Sequence, residues 1–161
     1  MRRRSIAGRA YTAIAMGPRR QALVAEAAAM LLAARILTAT RRFATIGRRL
    51  GTFVPPDDAR VVARRAESRR GDDRAARRIG WAIRTTAPLM PFRAACLQQA
   101  VAAHAMLARR RVRGIVHLGA QAGAGEAPRR DGMTHAWLDA AGVAVVGYPI
   151  DADMVEIGCF V

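Results

Sequence analysis

Residues 91–118 read PFRAACLQQAVAAHAMLARRRVRGIVHL and contain the change of pattern that decides the fold. From Phe92 to Arg111 the segment is rich in Ala and Leu, which favour a helix. The helix ends in three arginines, where cations interact favourably with the carboxyl end of the helix dipole. Val112 to Leu118 then has the β-branched character of a strand. We therefore expect this helix to lead directly into a sheet.

The residues after this stretch predict a small antiparallel sheet. Ala120 to Asp131 is rich in glycine and predicts a mobile loop. Ala141-Gly142 can turn the chain between two strands as a hairpin, and Pro149 ends the second strand or places it at an edge. The strand candidates are Met133 to Asp139, Val143 to Tyr148 and Val155 to Val161.

The N-terminal half of the chain predicts helices. Gln21 to Thr40 carries apolar residues at helical spacing. Pro55-Pro56 interrupts helical structure, and either of the two aspartates that follow can cap a new helix. Ala59 to Thr86 is a second helical region, broken near Gly71. Helices followed by an antiparallel sheet indicate an α+β fold, with a helical, basic region over residues 1–86 and a core over residues 87–161.

Length and hydropathy bound the class of protein. The chain has 161 residues with 52% hydrophobic side chains, which suits one domain and excludes a disordered chain. Glu26 and Arg35 interrupt the longest apolar run, so we expect no membrane span and no signal peptide. Two cysteines, Cys96 and Cys159, fit a reducing compartment, and a cytoplasmic location is expected.

The charge is strongly positive, with 27 basic against 12 acidic residues and a net charge of +15; every basic residue is arginine. This predicts affinity for anionic partners. An aromatic content of 5% offers little stacking surface, which argues against a dedicated nucleic-acid binder. Two cysteines and three scattered histidines make a poor zinc site, and neither a metal nor a cofactor is expected.

Cys96 is the first candidate catalytic residue because it lies near the start of the predicted helix. A helix N-terminus favours a thiolate, and its unpaired backbone amides can hold an oxyanion. The alternative is a small buried side chain, which is what most free cysteines are.

His135 is the candidate base, on a predicted strand after the glycine-rich loop. A cysteine nucleophile needs a base that can meet its thiol and a third group that orients the imidazole. His104 follows Cys96 by eight residues on the same helix, about 12 Å along its axis, which is too far. His117 lies in a strand candidate but is expected to lack an acidic neighbour, so it is the weaker rival.

Three segments together resemble the lasso-peptide leader peptidases, in the split form that carries the protease half alone. They are Pro91 to Leu97, Leu107 to Ile115, and His135-Ala136-Trp137-Leu138-Asp139. Ala25 to Gly51 is similar to the helical leader-side region of that family, so the resemblance covers nearly the whole chain. It implies a papain-related, transglutaminase-like fold in which the helix bearing the cysteine packs on a small antiparallel sheet.

The resemblance also implies an activity and partners. The protein would be a cysteine peptidase that removes the leader from a ribosomally made precursor, with a separate leader-recognition protein, before a macrolactam cyclase closes the ring. Cys96 would be the nucleophile and His135 the base. The family's orienting aspartate is expected about a dozen residues after His-Ala-Trp, where this chain reads Val146-Gly147-Tyr148-Pro149. Asp151 is the nearest acid downstream and is the one that we assign.

Other assignments stay open at this stage. Asp139 and Asp153 are alternatives for the acid, and the site can also act as a dyad. Phe43 and Ile46, among Arg42, Arg48 and Arg49, form a basic amphipathic patch that either docks the leader or its recognition protein or packs on the core. The chain can instead be an Arg-rich helical protein that binds nucleic acid or a membrane surface, or another transglutaminase-like acyl transferase.

Overall fold

The computed structural model describes residues 17–122 and 134–161, so the N-terminal residues 1–16 and most of the predicted loop lie outside the described residues. The helices are α1 (Pro18–Thr40), α2 (Phe43–Leu50), α3 (Ala59–Ala66), α4 (Asp72–Thr86) and α5 (Cys96–Ala108), with a 3₁₀ turn at Ala87–Leu89. The strands are β1 (Phe53–Val54), β2 (Gly114–Gln121), β3 (Thr134–Ala140), β4 (Val143–Val146) and β5 (Met154–Phe160).

The five described strands form one sheet in the order β1-β5-β2-β3-β4, and each pair of neighbours is antiparallel. The fold is therefore α+β, as the sequence predicts. Ala141 and Gly142 both have positive φ, at 50° and 72°, and make the tight turn that joins β3 to β4. The last strand does not lie at an edge, because β5 pairs with both β1 and β2.

The main core lies between one sheet face and the helices α1, α4 and α5. Leu31, Ile83 and Leu107 are fully buried there with Val116 and Leu138 of the sheet. The core and the sheet both use residues from each side of the boundary at position 86: α1, α2 and α4 contribute to the core and β1 to the sheet, and all four lie within residues 1–86. The two regions of the chain thus share one hydrophobic core.

A glycine lets α4 approach the sheet closely. A Cβ on Gly80 would lie 2.5 Å from the carbonyl oxygen of Val145 in β4, which is closer than side chains allow. The guanidinium of Arg84, one turn later, donates to that same carbonyl. Residue 80 must therefore be glycine for α4 to cover β4 at this distance.

Helix α1 is long and apolar enough, by length and composition, to be a candidate membrane span near the N-terminus. In this fold it packs on α4 and α5 and buries Ala27, Leu31 and Ala34. Its one acidic residue, Glu26, accepts two hydrogen bonds from Arg110 after the end of α5, at 2.6 and 3.0 Å. Packing and this ion pair attach α1 to the helix that begins with Cys96.

The middle helices begin and end close to the predicted positions. Asp58, rather than Asp57, caps α3 by accepting the backbone N–H of Arg60 at 2.8 Å. Residues 67–71 separate α3 from α4, which places the break in the predicted region. In α2, Ile46 is buried in the core whereas Phe43 is half exposed. One helix thus contributes to the core and also presents an aromatic side chain outward.

Candidate active site

Cys96 is the first residue of α5, so the thiol stands at a helix N-terminus as predicted. Ala95 precedes it at the N-cap position and has no side-chain oxygen to accept from the first turn. Gln98 instead accepts the backbone N–H of Ala95 at 3.0 Å, and Gln99 donates to the carbonyl of Ala94 at 2.8 Å. Both amide side chains hold the start of the helix, and the first backbone N–H groups of α5 lack a capping side chain.

Cys96 and His135 line the same cavity, which has a volume of about 610 Å³. It lies between α2, the start of α5 and the sheet. Its walls are mostly apolar, and Arg48 at the exposed end of α2 is the one arginine among the described lining residues. The other lining residues are Phe43, Ala44, Gly47, Gly51, Phe53, Leu97, Leu118, Gly119, Thr134, Ala136, Ile157 and Phe160.

His135 is held by a backbone carbonyl. Its Nε2 atom lies 2.7 Å from the carbonyl oxygen of Gly147, on the segment after β4. Because a carbonyl can only accept, Nε2 carries the proton and donates, which leaves Nδ1 of the neutral ring as the basic nitrogen. The described residues show no hydrogen bond between Cys96 and His135. Unliganded sites often have such loose contacts, which tighten when substrate binds.

Gly147 has a backbone conformation that other residues rarely adopt. Its φ is +85°, and a Cβ there would lie 2.6 Å from the carbonyl oxygen of Ala136 and 2.7 Å from Cα of Trp137. Glycine is therefore required for the carbonyl to reach His135. Gly147 follows His135 by twelve residues, in the stretch where the resemblance implies an aspartate.

The sequence matches the family model of the transglutaminase-like superfamily over residues 31–156. The chain belongs to this superfamily. No curated protein and no solved structure matches the chain. Proteins of the superfamily are generally cysteine proteases or acyl transferases, and membership supports a function of that type here. The α+β core is thus transglutaminase-like, as the resemblance implied.

None of the three candidate acids forms a hydrogen bond or ion pair with His135 in the part of this transglutaminase-like core that the structure describes. Asp151 is exposed, and its side chain forms no hydrogen bond or ion pair with a described residue. Asp153 accepts from Gln121 at 3.1 Å, at the end of β2. Asp139 accepts from the hydroxyl of Tyr148. The carbonyl of Gly147 is the acceptor that the structure places on the imidazole.

His117 has two acidic neighbours, so the expectation that it lacks one is wrong. Its side chain is 1% exposed, and Nδ1 lies 2.6 Å from Glu156 on β5. Nε2 lies 3.4 Å from Oδ2 of Asp139 on β3. Burial alone would lower the pKa of His117, but the two carboxylates outweigh it and raise the pKa. The partners come from two other strands, 22 and 39 residues away, which inspection of neighbouring residues could not reveal.

Trp137 separates the two histidines. Its ring stacks on His117 at a centroid distance of 5.3 Å and on His135 at 6.0 Å. Strand alternation puts His135, Trp137 and Asp139 on one face of β3, as predicted. Asp139, which faces His117, also accepts a hydrogen bond from the hydroxyl of Tyr148, the residue that follows Gly147. The pKa of Tyr148 is raised by burial and by its hydrogen bond to Asp139.

Among the described residues, one group has donor atoms close enough to share a metal ion. It consists of His117, Glu156 and Cys159, whose ligand atoms lie within 4.8 Å of one another. Cys159 is buried. Its pKa is raised to about 11, mainly by burial and to a smaller extent by the negative charge of Glu156. A thiol that stays protonated is a poor metal ligand. His117 and Glu156 also satisfy each other directly, so we assign this group to the packing of the sheet.

Proposed function

We propose that this chain is a cysteine peptidase that removes the leader from a lasso-peptide precursor, with a separate leader-recognition protein and a macrolactam cyclase as partners. The observation that carries the proposal is the cavity shared by Cys96, at the start of α5, and His135, on β3. Membership of the superfamily supports thiol-based acyl chemistry. The run from His135 to Asp139 supports the leader peptidases within it. We place the reaction in the cytoplasm, where thiols stay reduced.

The residues suit the following reaction. His135 takes the thiol proton at Nδ1, and Sγ of Cys96 attacks the carbonyl carbon of the scissile peptide bond. The oxyanion that forms faces the uncapped backbone N–H groups at the start of α5. The C–N bond then breaks, and His135 returns the proton to the departing amine. A water molecule hydrolyses the thioester with His135 again as base, which releases the leader and restores the thiol.

The third catalytic group, which orients the base, is where this chain departs from the family pattern. The carbonyl of Gly147 already orients His135, so we propose that the site works as a Cys–His dyad held by the backbone. Asp151 remains the proposed acid if a carboxylate takes part, since it lies four residues further along the same segment. Substitution D151N separates the two cases: cleavage persists in the dyad and falls by about tenfold or more if the acid orients the base.

The cavity also suits a peptide substrate. Phe43, Phe53 and Phe160 form aromatic walls, and the ring of Phe160 contacts those of Phe43 and Phe53 at centroid distances of 6.3 and 5.0 Å. Walls of this kind accept an apolar side chain of the leader close to the scissile bond. Arg48 at the rim can pair with an acidic residue of the leader. The basic amphipathic patch on α2 therefore combines the two predicted roles, core packing and docking. Ile46 packs on the core, whereas Phe43 and Arg48 face the substrate.

The test is the cleavage of a precursor peptide by this protein together with its leader-recognition protein, followed by mass spectrometry. We expect a free leader fragment with the wild-type protein and with C159A, the matched control for the buried cysteine. C96A should give no fragment while remaining folded by circular dichroism. Cleavage by C96A at the wild-type rate would contradict the assignment of the nucleophile.

Acyl transfer with another substrate is the second candidate, and family membership supports it to the same degree. Both reactions form a thioester on Cys96 and differ in the nucleophile that resolves it. An added amine such as hydroxylamine reports on this step. Peptide hydroxamate in place of free acid shows that amines enter the site, whereas a failure to acylate Cys96 at all would favour a binding role for this Arg-rich chain.

A further inference from the structure

A second cavity of about 580 Å³ lies between the start of α1 and the outer face of α4, lined by Arg19, Arg20, Leu23, Ala75, Arg77, Arg78, Ile79, Trp81 and Arg110. In the part of the chain that the structure describes, no residue lines both this cavity and the cavity of Cys96. Of its nine described lining residues, five are arginines and none is acidic. Neither the proposed peptidase chemistry nor the family assigns a role to this surface.

The arginines of this cavity are only partly neutralised. Arg110 is paired with Glu26 at 2.6 Å. Arg77 approaches Asp73 at 4.0 Å, and both side chains are more than half exposed, so that pair is weak. Within residues 17–122 and 134–161, no carboxylate pairs with Arg19, Arg20 or Arg78. Three guanidinium groups around one cavity therefore lack an anionic partner among the residues that the structure describes.

The floor of the same cavity is apolar. Ile79 is fully buried, and Leu23 and Trp81 are partly buried and pack against the main core. The guanidinium of Arg20 stands over the ring of Trp81 at 5.6 Å. Tryptophan and arginine are the residue types that most often carry binding energy in protein interfaces. An apolar floor lined also by cationic side chains favours a ligand that is both anionic and apolar.

We propose that this cavity binds an acidic peptide segment of a partner protein, with one aliphatic or aromatic side chain inserted between Leu23, Ile79 and Trp81. Carboxylates fit the planar guanidinium fork with two parallel hydrogen bonds. A nucleic-acid backbone would supply the charge but no apolar group for the floor. Residues 1–16 of this chain contain four arginines and no acid, so they do not supply the complementary charge. The inference does not depend on the proposed peptidase activity.

The experiment measures binding of a fluorescein-labelled peptide, Glu-Glu-Leu-Phe-Glu-Glu, by fluorescence anisotropy at about 0.15 M salt, where long-range attraction is screened. The test variant is the double substitution R19E and R78E. Its control, R70E and R74E, changes the net charge by the same amount at exposed arginines that lie outside the cavity and outside the patch on α2. We expect the test variant to bind at least about tenfold more weakly and the control to stay within about twofold of wild type.

Two further probes complete the test. A peptide in which Ser-Gly replaces Leu-Phe should bind at least about fivefold more weakly, because it lacks the apolar anchor. Equal weakening by both double variants would show attraction by net charge alone and would overturn the proposal. If the Ser-Gly peptide bound as tightly as the Leu-Phe peptide, that result would also overturn the proposal. A 20-base-pair DNA duplex that binds more tightly than the Leu-Phe peptide, and is lost in the test variant, would reassign the cavity to nucleic acid.

Discussion

The two histidines that stack on Trp137 lie on the same sheet face but differ in burial and in hydrogen-bond partners. His135 is half buried, opens into a cavity and is held through one nitrogen by an uncharged carbonyl. His117 is fully buried, and a carboxylate faces each of its nitrogens. A carbonyl fixes the ring and leaves the second nitrogen free to move a proton. Two carboxylates instead favour the protonated ring, which suits a structural role.

The largest expected effect is on the activity that depends on His135. We expect H135A to lower precursor cleavage by at least about a hundredfold, because the thiol loses its base. The midpoint of urea unfolding should change little, since one partly buried hydrogen bond is lost. H104Q is the matched control, on the far part of α5, and should keep its activity. Wild-type cleavage by H135A would remove the distinction between the two histidines.

His117 should show the opposite behaviour, with its main effect on stability. Substitution H117L leaves Asp139 and Glu156 close together without the cation between them. Removing one partner of a buried ion pair costs about 3–5 kcal/mol of unfolding free energy. Urea denaturation measures this, and the further substitution E156Q should restore part of the loss. A full-stability H117L protein would show that the carboxylates do not need the imidazolium.

The raised pKa of His117 also predicts how stability depends on pH. The unfolded histidine titrates near 6.5, whereas the folded one holds its proton to higher pH. Its contribution is therefore complete below about pH 6.5 and declines as the pH rises through the raised folded value. Melting temperatures between pH 6 and pH 9 should fall more steeply for wild type than for H117Q. Parallel curves for the two proteins would contradict the assignment.

Tyr148 should give the smallest effect. Y148F removes the hydrogen bond to Asp139 but keeps the ring, so we expect a loss of about 1 kcal/mol in unfolding free energy. Cleavage should stay within about threefold of wild type, because the carbonyl of the preceding residue, Gly147, is untouched. A hundredfold loss of activity with unchanged stability would instead make the tyrosine a participant in the chemistry.

The sequence predicts the parts of this site that depend on local pattern. Helical periodicity and the start of the helix place Cys96, and strand alternation places His135 beside Trp137. The hairpin turn at Ala141-Gly142 follows from residue type. These features extend over a few residues, so one sequence is sufficient to recognise them.

The parts that the sequence does not predict depend on contacts between distant segments. The carbonyl of Gly147 carries no side-chain signal, although a glycine before Tyr148-Pro149 marks an unusual backbone. Glu156 reaches His117 because β5 inserts between β1 and β2, an order that adjacent hairpins do not suggest. The second cavity is likewise invisible in the sequence, where its arginines look like an ordinary solvated helix face.

The most direct test of the central claim is the rate at which iodoacetamide modifies each cysteine at pH 7.5, read by mass spectrometry of the intact and digested protein. Cys96 should react, whereas buried Cys159 with its raised pKa should stay unmodified. We expect H135A to slow the reaction of Cys96 by at least about tenfold and H104Q to leave it unchanged. An alkylation rate at Cys96 that is the same in wild type and H135A would contradict a working pair in this cavity.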